Sequence, residues 1–379
     1  MTASPERRSR PGRSRVRPRA TLRCLPLLAS AALLASPLAC SEDGTGPEPG
    51  PLAGRAFVVN SLGGTLSVVG RRSSDGRLEA QNDIVELGPE SNAVTLAVGE
   101  GVVAVPTQTN RLIVFEEATL AHRCSATLPV GSSPAGVALG AGDAFVTLLE
   151  TGAVARVDLA TCDVEGTAPV GPGAFDLEVL GDELLVVVGN VDFAAPGIPP
   201  RLGPSYVAFV DALTLEVRDT VATGGDNAQF AELDPDGDLV VVNSGDFGGG
   251  NGSVSVIDPV ARRLTAGPST IGDFPGDLAI GPDGRAYVTS FNDGLYVFDS
   301  GGNRVLRDAS NPLFAPDTLG ERRGSSGVAV DRRGNVLSVQ FGAFPAPGEV
   351  FLFDAGEALT DSVDVGVGPF AIRLEESAR

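Results

Sequence analysis

The chain has 379 residues, with 28 basic against 48 acidic side chains, a formal net charge of −20, four Cys, one Met and no Trp. Every basic side chain is Arg, which excludes a Schiff-base or phosphate-loop lysine, and the one imidazole, His122, rules out a His-rich metal site and handicaps a His-based triad. Hydrophobic residues at 42 % suffice for a sizeable core, and 49 Gly with 28 Pro announce many turns.

Residues 1–23 carry eight Arg against the single acid Glu6 and lead into the apolar run CLPLLASAALLASPLA, Cys24 to Ala39. A basic start, an apolar stretch short for a bilayer span and small residues before Cys40 read as a secretory signal. The sequence SPLAC resembles a bacterial lipoprotein cleavage site, which implies that Cys40 becomes the lipidated first residue of the mature chain. Residues 41–54 are polar and rich in Pro and Gly, as suits a flexible tether, so the expected organisation is a signal segment 1–40, a tether 41–54 and a body 55–379. Without residues 1–39, 20 Arg face 47 acids, a charge near −27 that repels phosphate backbones; no nucleic-acid partner is expected. The expected address is the bacterial cell envelope, outside the cytoplasm, in the periplasm or at the outer membrane, with the lipid as the sole membrane contact. Cys124 and Cys162 form an even pair for an oxidising compartment.

In the body one β-rich segment recurs seven times: AFVVN at Ala56, VVAVP at Val102, AFVTL at Ala144, LVVVG at Leu185, LVVVN at Leu239, AYVTS at Ala286 and VLSVQ at Val336. The intervals of 41 to 54 residues are the spacing of propeller blades. Each copy is followed by a second β-rich segment, such as TLSVV from Thr65 or LYVFD from Leu295, and a third class precedes it, such as AGVAL from Ala135 or DLAI from Asp277. The first copy at Ala56 has no preceding partner, and FAIRLE from Phe370 has no successor. Both orphans are explained if the two chain ends share one sheet. The expectation is an all-β, seven-bladed β-propeller closed by pairing of its N- and C-terminal strands. PGDLAIGPDGRAYVTSFNDGLYVFD, Pro275 to Asp299, resembles the YVTN-type β-propeller repeat family, a likeness that speaks to architecture rather than activity.

Long insertions fall in loops expected on one face: Asn190–Pro204, Ser244–Asn251, Phe341–Gly348 and the stretch ending near Gly327. Loops of this kind on a rigid scaffold carry binding, so blades 4 to 7 are expected to present Phe193, Phe247, Phe291, Phe341 and Phe344 beside Asp192, Asp246 and Asp277. Apolar rings in an acidic surround suit a protein or envelope ligand, bound by a monomer without catalysis. Asn92, Asp176, Gln229, Asp277 and Ser325 are expected at the channel entrance. Resemblance to lactonase-like propellers implies an alternative, a hydrolase with a central Ca²⁺ held by Asp176, Gln229 and Asp277; otherwise no cofactor is expected. Cys124 and Cys162 sit alike in neighbouring blades, near the outermost strands, where a disulfide would join the blades if geometry allows.

Overall fold

The computed structural model describes residues 54–246, 249–317 and 319–375. The signal segment, Cys40, the tether up to residue 53 and Phe247 lie outside the described residues. The body forms seven four-stranded antiparallel sheets, the blades of a β-propeller. Blade 1 is built by both chain ends: Pro369–Leu374 innermost, then Ala56–Asn60, Thr65–Arg71 and Leu78–Glu86. The closing register sets Phe57 opposite Arg373 and Val58 opposite Ile372. The other six innermost strands are Ala97–Gly99, Pro134–Gly140, Ala174–Leu180, Ala228–Leu233, Pro275–Ile280 and Gly327–Val330, in blades 2 to 7.

The repeats take this shape because each blade is buried on both faces, so its middle strands read as unbroken apolar runs rather than alternating ones. In AFVVN all five residues are buried. Alternation then decides which neighbour each side chain meets. Ala56 and Val58 pack towards blade 7 with Leu337 and Leu352, whereas Phe57 and Val59 pack towards blade 2 with Val103 and Val105. The core is accordingly seven wedges, one between each adjacent pair of blades, not a single centre. Outer strands face water on one side and alternate accordingly, as in VEGTAP, Val164 to Pro169.

Small residues bring the inner strands together. A Cβ on Gly136 would lie 2.6 Å from the Phe175 carbonyl oxygen and 2.8 Å from the Asp176 Cα. Thr147 sits beside this contact; its hydroxyl accepts the Gly136 N–H at 2.7 Å and donates to the Phe175 carbonyl at 2.7 Å, tying blade 3 to blade 4. The first-to-second-strand turns are tight. In DPDG the Asp234 carboxylate accepts the N–H groups of Asp236 and Asp238, and Gly237 takes the positive φ of 87°. Cys124, in the outermost strand of blade 2, and Cys162, just before that of blade 3, are joined by a disulfide with Cα atoms 6.0 Å apart.

Candidate functional site

Two regions hold the residues of interest, and they lie at opposite ends of the ring. Inner strands run away from the long loops, so residues at their starts belong to the loop-rich face and those at their ends to the short-turn face.

The first region is a cavity of about 800 Å³ along the central axis. Its wall includes Gly99, Asp234, Pro282 and Asp331, at or next to the first-to-second-strand turns, so it opens on the short-turn face. Asp176 and Asp277 line it; Asn92, Gln229 and Ser325, expected beside them, do not. Asn92 is exposed, Ser325 is buried beneath the Ser338 hydroxyl, and the Gln229 amide donates to Asn227 at 3.0 Å. Residues Asp176 and Asp277 share one structural task. Each reaches to the inner strand of the next blade and accepts a backbone N–H there, Asp176 from Ala231 at 3.1 Å and Asp277 from Val328 at 3.2 Å.

At its inner end the cavity holds a group that no repeat motif announces. Arg373, from the closing strand, donates to both carboxylate oxygens of Asp277 at 2.8 Å. The two neighbouring acids, Asp277 and Asp176, hold the guanidinium firmly protonated despite its burial. Asp176 fares differently. It keeps some contact with water, yet strands enclose its carboxyl, and this desolvation pushes it up to about 6; the Ala231 N–H and Arg373 pull the other way, and Asp277 adds repulsion. These donors do not fit a Ca²⁺ ion, which takes six to eight oxygen ligands. A cation between Asp176 and Asp277 would have to displace Arg373 from both Asp277 oxygens, and Gln229 does not line the cavity. Asp277, expected both on the loop-rich face and at the channel, is a channel residue with its carboxylate already engaged by Arg373.

The second region is the loop-rich face. Asp192 and Phe193 stand in the blade 4 loop, which is pinched by the Val191–Arg201 bridge, and the Asp192 carboxylate accepts the Ala194 N–H at 3.1 Å. Asp246 is exposed and exchanges two hydrogen bonds with the Asn251 side chain. Phe291 is 46 % and Phe344 is 72 % exposed, as is Ile198 at 75 %. Phe341 is half-buried, edge-on to Phe370 at 6.2 Å, and Phe370 also lies 5.7 Å from Phe291. A second group joins Phe175 to Phe230 at 4.9 Å and to Phe193 at 6.3 Å. Two aromatic clusters therefore stand at this end of the channel. Phe175, Phe230 and Phe370 are not among the expected site residues, although a sequence signal exists: three of the seven inner strands carry Phe at their starts.

His122 is exposed in the outermost strand of blade 2, bonded to the Ser125 hydroxyl at 2.9 Å, remote from both regions. No protein-family model and no curated protein matches the chain. Among solved structures, a chain of Kuenenia stuttgartiensis hydrazine synthase is similar, with a TM-score of 0.58 and 15 % identity, covering 75 % of this chain and 90 % of that one. At that identity the likeness shows the propeller fold alone.

Proposed function

We propose that the protein is a non-catalytic, lipid-anchored propeller of the bacterial envelope that binds a protein or envelope ligand through its loop-rich face. The observation that carries this reading is the exposure of Phe291 and Phe344, at 46 % and 72 %, on loops beside half-buried aromatic clusters. Large apolar side chains held in water on a rigid frame are the usual anchors of an interface. Lipidation at Cys40 and a flexible tether to residue 54 would keep the propeller at the membrane surface.

The test is photo-crosslinking in the native cells. A photoreactive residue replacing Phe344 should give defined adducts, and one replacing Val260, which is 89 % exposed on the short-turn face, should not. Equal labelling from both positions, or none from position 344, would refute the reading. Incorporation of labelled palmitate that disappears in Cys40→Ser tests the anchor separately.

A further inference from the structure

The loop-rich face carries apolar anchors, and it also carries an unbalanced charge. Arg201 is shared by Asp226 and Asp246, Arg322 is held by Asp293 at 3.0 Å and Arg323 by Glu349. Each guanidinium on these loops is thus already matched. Asp192, Asp273 and Asp317 have no basic side chain within 4.0 Å among the described residues, which leaves the face negative within a chain of net charge −20. The Asp317 carboxyl is held below its usual range, chiefly by the backbone N–H groups of Glu321 and Leu319, so its charge persists well into acid.

Between blades 6 and 7 a groove of about 580 Å³ runs past Phe291, Gly342 and Pro347, and its wall also carries Asp317, Glu349 and the ion-paired Arg322 and Arg323. One bank is the exposed Phe291, and the other is formed by Gly342, Ala343 and Pro347 of the loop that carries the exposed Phe344 beside the groove. Acidic membrane lipids would be repelled by such a face, and an acidic protein likewise. A segment that brings an apolar side chain to the groove and positive charge to its rim would gain on both counts.

We infer that the ligand of the loop-rich face is a basic segment of a partner protein, with a large apolar side chain flanked by Arg or Lys, seated between Phe291 and Phe344. This inference rests on the loop-face reading given above and adds the chemistry of the partner. Asp192 and Asp246 steer the positive flanks, while the cluster of Phe291, Phe370 and Phe341 backs the apolar anchor.

The test is selection from a displayed library of random short peptides on the purified tether and body, residues 41–379, with the selected peptides then measured by fluorescence anisotropy. Selected sequences should be enriched in Arg or Lys around a large apolar residue. Their affinity should fall about tenfold or more in Phe291→Ser/Phe344→Ser, the scale of losing an interface anchor. It should weaken with added salt, less steeply in Asp192→Asn/Asp246→Asn. All four positions are loop residues, and thermal melts of each variant against wild type report that the ring is intact. Uncharged or acidic peptides whose binding still depends on Phe291 and Phe344 would overturn the basic-partner inference and leave the loop-face reading standing. Basic peptides indifferent to the Phe changes would overturn both, as would failure to enrich any peptide.

Discussion

Asp176 offers the sharpest check on the physical picture of the channel. Its carboxyl is pushed up to about 6 from an ordinary 3.8, mainly because strands enclose it. A group whose folded pKa is raised holds its proton more tightly in the folded state, so its ionisation opposes folding. Stability is therefore unaffected by this group below pH 4, falls as pH rises from 4 to 6, and stays level above that. A shift of roughly two units at about 1.4 kcal/mol each gives a penalty of at most about 3 kcal/mol at pH 7, and less where water in the open cavity screens the charge. Asp176→Asn removes the charge and keeps an oxygen for the Ala231 N–H. The variant should be more stable than wild type at pH 7, by about 1–3 kcal/mol, and equal to it at pH 4. Urea unfolding followed by circular dichroism from pH 4 to 8 measures both. An Asn variant that is less stable at pH 7, or a difference independent of pH, would show that Asp176 is a favourable ionic partner of Arg373 rather than a desolvated acid.

The neighbouring pair behaves oppositely. Arg373→Met strands the Asp277 carboxylate inside the channel wall and should cost about 3–5 kcal/mol, most of it restored when Asp277→Asn is added, as a double-mutant cycle in urea will read. Deleting residues 369–379 removes the inner strand of blade 1, leaves Ala56–Asn60 with an open edge, and should give soluble aggregates by light scattering in place of a monomer. Cys124→Ser/Cys162→Ser releases a loop with sequence separation 38 and should cost about 3–4 kcal/mol by loop-closure entropy, without altering any peptide binding on the opposite face.

The closure of blade 1 by the two terminal strands is legible because orphan segments at the two ends of the repeat count demand each other; the register that sets Phe57 opposite Arg373 is not. The DPDG turn was legible for a local reason: Asp and Gly at those spacings make the Asx turn and supply the positive φ within four residues of chain. The site was much less so. Asp277 reads from the sequence both as a loop-face acid and as a channel ligand, because its position near a strand start is legible but the occupancy of its carboxylate is not. That occupancy depends on Arg373, separated from it by 96 residues and placed on the closing strand. Phe175, Phe230 and Phe370 are not distinguished by the sequence, since a Phe in an inner strand has the same pattern whether it packs inward or stands at a mouth.

Unbroken apolar runs, repeated seven times with turn residues between them, suffice to specify seven sheets and their ring closure, because burial on both faces of a blade is a property of the segment itself. Which groups meet across the channel is different in kind. Opposite inner strands belong to segments tens to hundreds of residues apart, and only the curvature and closure of the ring bring Arg373 onto Asp277, raise Asp176 and direct the cavity to the short-turn face.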